Sequence, residues 1–500
     1  MNESISYLDL LPLAPEIVAT CGIMVVLFAD FFTSTKNSRL VCAAFGVITN
    51  VLAAGIITAL LVGHSVLYPF SEILIVDAFA FYMRLFFYSA SAVIFLLIMA
   101  TNEFGPVKHG EIVSLILGAT LGASILVMAN NLLIYIFALE TLSICSYVLA
   151  SAKKFNRASA EAGMKYFLYG ALTTAMTVYG FSYIYGLSKT LNIERSMELL
   201  ANYDSGALLV VVLLLSTAAI LFKLAIAPFH FWCPDVYQGS PTPITAFLAV
   251  VSKAAIFAAL FRLLLPASLF MFILGKVYGQ VSSELFVYLL FLLAGVTMTL
   301  ANISALKQND FKRLLGYSAI AHAGYMLLAF SVLHVMAIKS LMFYFLVYGI
   351  ANIGAFWICS LMIARYGHAH LSAWRGLGKT NPTLVICLFI FLLSLIGLPP
   401  TAGFSGKFLL FSAVMNQALA ILYKDSVLGI SYLLLILLAV LNSVISLVYY
   451  IKPIKVAVLE ESDPVEKLPV SKFSSACLIV LAVLSLLLID FDLVIANIKL

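Results

Sequence analysis

The sequence predicts an all-α polytopic membrane protein of about fourteen transmembrane helices, each near the length that a bilayer's hydrocarbon demands. Three observations carry this expectation. Of 500 residues, 63% are hydrophobic and 10% charged, against roughly 25% charged in ordinary soluble domains. Apolar runs of about 20 residues repeat almost without pause. Lysines and arginines crowd into alternate connections between those runs.

Mean hydropathy is +1.10, and the longest polar stretches are only loops, so no separate soluble domain is expected. The start, MNESISYLDLLPLAPEIVAT, lacks the basic region and small-residue cleavage site of a signal peptide. The first apolar run is therefore expected to remain as a helix. In order, spans are expected near 13–31, 39–62, 77–100, 111–128, 130–150, 160–186, 206–228, 243–265, 284–305, 312–333, 336–365, 382–420, 427–451 and 474–492. The twelfth is too long for one straight crossing. GLPPTAGFSGK interrupts it, with Pro399, Pro400 and three glycines breaking the hydrogen-bond ladder.

Orientation follows from the basic residues. One set of alternate loops carries Lys36, Arg39, Lys108, Lys153, Lys154, Arg157, Lys307, Lys312, Arg313, Arg365, Arg375, Lys379, Lys452, Lys455, Lys467 and Lys472. The other set has only Lys189, Arg195, Lys276, Lys339, Lys424 and Lys499. The positive-inside rule puts the first set in the cytoplasm and both termini outside. The net charge of +5 comes largely from that one face and needs no nucleic acid to explain it.

An internal repeat follows. MKYFLYG begins at Met164 and MFYFLVYG at Met342. The same offset of 178 positions pairs Tyr147 with Tyr325 and Leu149 with Leu327. Five spans separate the copies, so the second enters the membrane the opposite way round, as in transporters with sites near the midplane. The expected organisation is an N-terminal part (1–110, helices 1–3), a first repeat (111–265, helices 4–8), a second, inverted repeat (284–451, helices 9–13) and a last helix (474–492). Helices 7 and 12 are the broken members. Glu140 aligns with Ser318, so the acid stands in one half only.

The ionisable residues at membrane depth are few. Lys223 precedes a break at Pro228, and Lys253 lies thirty positions later, near the middle of the next span. A charge at the centre of a membrane helix costs about 2.5–3.5 kcal/mol on insertion scales, which makes both functional candidates. The competing reading of Lys223 is a lysine snorkelling from a helix end. Glu140, at the centre of the fifth span, needs a cationic partner, and Lys223 is the candidate. Lys407 follows the break in the twelfth span; its plainer role is to satisfy carbonyls freed there.

Glu161 and Lys165 stand four apart on one helical face, where ordinary pairing explains much of the spacing. His322, in YSAIAHAGYMLLAF, carries a side chain that titrates near neutrality, although no partner is visible for it. His230 is a weaker candidate in the break. Arg84 and Arg262 do not titrate usefully, so structural or snorkelling roles lead for both. Free lysine, with a pKa near 10.4, holds its proton too firmly for a relay. Burial weakens that hold and a nearby carboxylate restores it, so buried lysines beside one carboxylate can act as a switchable path for protons.

Seven cysteines are scattered without a C-x-x-C pair, which argues against iron–sulfur or haem ligation. No nicotinamide, flavin or quinone fingerprint is visible. No cofactor or metal is therefore expected in this chain.

FKLAIAPFHFWCPDVYQGSPTPITAFLAVVSKAAIF closely resembles the helix 7–8 signature of the antiporter-like membrane subunits of proton-pumping NADH:quinone oxidoreductase, respiratory complex I. The PDVYQGSPTP loop followed by VSKAAIF is closer to the subunit N branch than to its sisters. KRLLGYSAIAHAGYMLL and GLPPTAGFSGKF resemble the helix 10 and helix 12 signatures. The resemblance covers nearly the whole chain. It implies fourteen helices, inverted five-helix repeats, and a proton relay of Glu140, Lys223, Lys253 and Lys407. Glu161 and Lys165 match polar positions of helix 6. It also implies a translocase subunit in a bacterial cytoplasmic membrane, beside neighbouring antiporter-like subunits, with quinone and NADH bound by partners. A cation/proton antiporter subunit or a membrane-bound hydrogenase subunit is the alternative. A pure scaffold is disfavoured by the insertion cost of four midplane charges.

Overall fold

Polar residues at the edges of the apolar runs set where helices begin. In the computed structural model, which describes residues 10–61, 66–105, 107–201, 206–264, 281–332, 335–460 and 468–489, side-chain oxygens cap one helix after another. Asp77 accepts from Ala80 N at 2.8 Å, Asn131 from Leu133 N at 2.9 Å and Asp310 from Arg313 N at 2.9 Å. Asn156, Asp425 and Ser471 do the same for later helices. Each supplies an acceptor to a first-turn N–H that would otherwise lack one.

The principal helices are α1 Ala14–Phe32, α2 Thr35–Leu61, α3 Ala78–Ala100, α4 Gly110–Met128, α5 Leu132–Ala150, α6 Arg157–Ser188 and α7 Gly206–Leu224. A short α8, Trp232–Gly239, leads into α9, Thr242–Leu264. Then follow α10 Val281–Leu306, α11 Phe311–Phe330, α12 Val335–Tyr366, α13 Pro382–Ile396, α14 Ala402–Leu422, α15 Ser426–Leu459 and α16 Lys472–Leu487. Among the described residues, ten helices are long and apolar enough to cross a membrane, and three shorter apolar ones accompany them. Strands are absent there beyond isolated bridges such as Leu67–Val76. The protein is a polytopic, all-helical membrane protein.

Several helix ends differ from the sequence expectation by a few residues; the second helix, for one, begins at Thr35 and not at 39. The helix expected over 206–228 stops at Leu224, and the one expected to end near 451 continues to Leu459 with Pro453 inside it. Lys276, Lys467 and Lys499, and the last residues of the expected C-terminal helix, lie outside the described residues.

The layering follows apolar exposure. Phe28 and Phe31 on α1, Phe137 on α5 and Val444 on α15 are 64–78% exposed, as lipid-facing side chains should be. By contrast α9 is buried along its whole apolar length, packed against α4, α7 and α12. Any charge on α9 is therefore surrounded by protein.

Arg84 and Arg262 do not snorkel. Arg84 is fully buried and grips Glu16 through two hydrogen bonds of 3.0 and 2.6 Å, with a third to the Pro12 carbonyl at 2.8 Å. Arg262 forks onto Asp77 at 2.6 and 2.8 Å and reaches the Val127 carbonyl at 2.6 Å. A planar guanidinium inside the bundle needs such a carboxylate. The sequence hid both pairs because 68 and 185 residues separate the partners.

A third carboxylate ties the connections at the lysine-rich face. Glu103, in the link between α3 and α4, is buried and accepts from Lys153 Nζ at 3.1 Å. It also accepts from the N–H and hydroxyl of Thr242, both at 3.0 Å, and from the Ser360 hydroxyl. Thus one carboxyl caps α9 and joins it to α12 and to the α5–α6 link. Burial alone raises this carboxyl, but Lys153, Lys312 and the Ser360 and Thr242 donors outweigh it and hold it below the usual carboxylate range.

The pH dependence follows. The folded Glu103 carboxyl titrates below its ordinary 4.5, so its stabilisation is complete above that pH and is lost as pH falls through the folded value. Glu103→Gln should lower stability near neutral pH by about 1.5–3 kcal/mol, the usual worth of a charge-assisted hydrogen bond. Melting of the detergent-solubilised protein should show the gap between wild type and variant closing as pH falls below 4.5. A gap that stays constant as pH is lowered further contradicts this account.

Candidate functional site

Two helix breaks hold the site. At the first, α7 ends at Leu224, Ala225 turns left-handed with φ +57°, the Ala227–Pro228 bond is cis, and the helix resumes at Trp232. Freed backbone groups find partners inside the protein. Trp232 Nε1 donates to the Phe222 carbonyl at 2.8 Å, and Ala227 N donates to Thr297 Oγ1 at 3.0 Å. Lys223, in the last turn before the break, is 2% exposed. Its Nζ has no hydrogen-bond partner among the described residues. It lies 5.4 Å from the Tyr147 ring centre and 5.8 Å from that of Tyr166. The electron-rich faces of those rings attract the ammonium in place of water.

The second break separates α13 from α14. Gly397 closes α13 with φ +85°, and the Pro399–Pro400 bond is cis. Lys407, 5% exposed, donates to the freed Ile396 carbonyl at 2.7 Å and to Ser443 Oγ at 3.0 Å. Its Nζ lies 4.9 Å from the Tyr325 ring centre. So Tyr147 and Tyr325, the residues paired by the 178-residue offset, each face a lysine at a break. Here the plainer role also holds: Lys407 does satisfy a freed carbonyl.

Lys253 and His322 also lie deep in the protein. A π-helical turn, Leu248–Ser252, immediately precedes Lys253. Such turns widen a helix by one residue and recur at functional positions. Lys253 is 3% exposed and donates to the Ala319 carbonyl on α11 at 2.6 Å. Three residues on, and so on the same face of α11, is His322. Its Nδ1 meets the Tyr344 hydroxyl at 2.5 Å and its Nε2 meets that of Tyr450 at 3.1 Å. Tyr450 also bonds Ser318.

The expected Glu140–Lys223 contact is not made: among the described residues no ion pair joins them. Glu140 is half-buried on α5 and accepts from Thr174 Oγ1 of α6 at 2.8 Å. A hydroxyl within reach on the adjoining helix satisfies the carboxylate there. Glu161 and Lys165 do pair, at 2.8 Å, but Lys165 also bonds Asp235 at 2.8 Å, and Asp235 takes Arg313 at 2.7 Å. With Glu161 and Lys165 60% and 38% exposed, this cluster stands apart from the buried row. His230 lies in the first break, its Nδ1 buried without a hydrogen-bond partner among the described residues.

Sequence reading missed the hydroxyls around the cations and also Lys312. It counted Lys312 as a loop cation, yet it is 2% exposed and donates to the Gln238 and Ser240 carbonyls at the end of α8. The signal was available for Tyr325, three residues after His322, but not for Tyr344 or Tyr450, which arrive from other helices. Among the described residues no cluster of His, Cys, Asp and Glu has the makings of a metal site. The groups on offer are three buried amines and an imidazole, the imidazole between two tyrosine hydroxyls and the Lys407 amine beside a serine hydroxyl.

The second break gives a direct test of local geometry. A Cβ at Gly397 would sit 2.7 Å from Lys407 Cδ on a left-handed backbone. Gly397→Ala should therefore cost at least about 1–2 kcal/mol from the backbone alone and displace Lys407. A melting temperature equal to wild type argues against this geometry.

Residues 129–431 match the family described as NADH:quinone oxidoreductase/Mrp antiporter, TM. Over 471 residues the chain is 35% identical to NADH-quinone oxidoreductase subunit N of Anaeromyxobacter sp. (strain Fw109-5), covering 91% of this chain and 89% of that one. Among solved structures, a chain of respiratory complex I from Thermus thermophilus superposes with a TM-score of 0.75 at 29% identity, over 97% of this chain and 99% of that one. A chain of the Mrp complex from Dietzia sp. DQ12-45-1b shares the fold, with a TM-score of 0.77 at 18% identity over 96% and 93% of the two chains. The chain belongs to the family of NADH:quinone oxidoreductase and Mrp antiporter membrane subunits.

Proposed function

We propose that this chain is the proton-translocating subunit N of an NADH:quinone oxidoreductase in a bacterial cytoplasmic membrane. One observation carries the reading: Lys223, Lys253 and Lys407 are all at most 5% exposed, two of them at helix breaks. No scaffold gains from burying three amines in lipid-spanning helices. The subunit carries no redox centre of its own. Redox energy reaches it through neighbouring membrane subunits, while NADH and quinone bind to partners.

The fourteen transmembrane helices include two inverted five-helix repeats, 111–265 and 284–451, with both termini outside. Supporting that reading, Tyr147 and Tyr325 face corresponding lysines. Protons pass along Glu140, Lys223, Lys253 and Lys407, with His322 between the last two. Glu161 and Lys165, with Lys165 bound to both Glu161 and Asp235, belong to the cytoplasmic edge of the path. In the present conformation Glu140 is held by Thr174. In a second conformation it approaches Lys223 and stabilises the ammonium, and its withdrawal frees the proton towards Lys253.

The assay is proton uptake into liposomes holding the reconstituted complex, measured beside quinone reduction. Lys223→Ala and Glu140→Gln should each lower uptake at least several-fold. Lys223→Arg should fail as well, because a guanidinium keeps its charge and does not release a proton. Full uptake by Lys223→Arg refutes the relay. The shared fold of the Mrp chain favours a cation/proton antiporter as the second reading. Uptake that requires sodium on the opposite side of the membrane would select it.

A further inference from the structure

Away from the lysine-rich face, the link between α2 and α3 folds back over the start of α1 and the α4–α5 turn. Leu67 and Val76 exchange backbone hydrogen bonds of 3.0 and 2.9 Å, and Ile75 N donates to the Met128 carbonyl at 2.8 Å. Between them the turn Pro69–Glu72 holds Phe70 and Glu72 left-handed, at φ +54° and +69°. Side chains with a Cβ adopt that conformation at a cost, and such strain gathers where ligands are held.

This turn walls a half-open cavity of about 340 Å³, lined by Leu13, Phe70, Ile73, Leu74, Ile125 and Ile134. Its size falls within the range of ligand pockets. Glu16 also borders it, but Arg84 and Ser124 take up both carboxylate oxygens. Water needs two or more polar partners in such a space, and the apolar walls supply none. An apolar occupant fits better. The lipid-facing surface runs up to the cavity, because Ile17, one turn from Leu13, and Leu133 and Phe137, beside Ile134, are exposed.

The rim above the cavity is acidic. Glu72 is exposed next to Ile73, and Asn130 ties it to the short helix Ile193–Ala201. Asn130 donates its Nδ2 to the Glu72 carbonyl at 3.1 Å and accepts at Oδ1 from Glu194 N at 3.3 Å. Partial burial pushes the Glu194 carboxyl above its ordinary value; Arg262 opposes this, and Glu72, Glu198 and Asp77 add to it. The half-exposed Tyr68 stands within the field of Glu194, Asp77 and Glu72. Carboxylates beside an aromatic ring suit an ammonium group and repel an anionic one.

We propose that the cavity takes one acyl chain of a phospholipid from the leaflet opposite the lysine-rich face, and that the rim selects a lipid whose headgroup ends in a primary ammonium. Its three N–H donors match Glu72 and Glu194, and the Tyr68 ring lies at the depth where aromatic side chains meet headgroups. The bound lipid would fasten the α2–α3 link to α1, α4 and α5. This site stands apart from the buried lysines and does not depend on the proton-translocating reading.

The test uses the whole complex in phosphatidylglycerol liposomes. Trace phosphatidylethanolamine or phosphatidylglycerol is added, each carrying a photoreactive diazirine midway along one acyl chain. After irradiation, adducts are mapped by peptide mass spectrometry. The ethanolamine reagent should mark residues 66–77 and the start of α5 well above the exposed face of α15 around Val444. It should exceed the glycerol reagent there by about fivefold, the factor that one charge near a membrane surface is worth.

Ile73→Trp and Ile134→Trp, made singly to fill the cavity, should each remove this labelling while labelling around Val444 and quinone reduction persist. Glu72→Lys should remove or reverse the preference between the two reagents. Labelling near residues 66–77 no stronger than around Val444 overturns the proposal, and so does labelling that survives in either assembled tryptophan variant. Equal labelling of the wild type by both reagents overturns it too. The wild-type comparison decides even where a tryptophan variant does not assemble.

Discussion

A helix that stops inside a membrane leaves N–H and C=O groups that lipid does not satisfy, so the protein must supply every partner itself. Both breaks in this chain are organised by that constraint. At Leu224–Trp232 the indole of Trp232 and the hydroxyl of Thr297 take up the freed groups. At Ile396–Ala402 the ammonium of Lys407 does so, assisted by Ser443, which donates to the same carbonyl. The second break thus recruits its own cation as a structural part. The first leaves Lys223 facing two aromatic rings, with no hydrogen bond among the described residues. The two lysines sit in comparable places and are held by different forces.

That difference bears on how the row can work. An amine bonded to a carbonyl loses a partner's acceptor when it deprotonates and reorients, whereas one held over rings loses only an electrostatic attraction. In the proposed relay, Lys223 is accordingly the member whose charge a moving carboxylate would most readily govern. Lys253, donating to Ala319, and Lys407 are more firmly placed. His322 between two tyrosine hydroxyls connects α11 to α12 and α15, so any change at the imidazole is felt by three helices.

Around this row, charge does a second job. Glu16–Arg84 and Asp77–Arg262 are guanidinium–carboxylate pairs in the first third of the bundle and at the end of α9. Glu103 and Asp235 gather lysines and an arginine at the lysine-rich face. Such pairs contribute little net stability once desolvation is counted. They do fix which helices meet, because removing either partner leaves a buried charge. Glu103 in particular ties the start of α9 to α12, and Lys312 holds the end of α8 just before it.

The sequence by itself determined the membrane class, the approximate helix positions and the places where helices break. Those depend on composition over about 20 residues and on proline and glycine, which act locally. It also singled out Lys223, Lys253 and Lys407, because a lysine in an apolar run is conspicuous wherever its neighbours lie. Only the tertiary structure decided what each charge touches. Glu140 turned to Thr174, one helix along, and Arg84 found Glu16 from 68 residues away. His322 gained Tyr344 and Tyr450, and Lys312 proved to be buried. Partners of that kind are chosen by which helix faces meet. Helix packing in lipid depends on shape and on hydrogen bonds between distant segments, and these leave no local pattern along the chain.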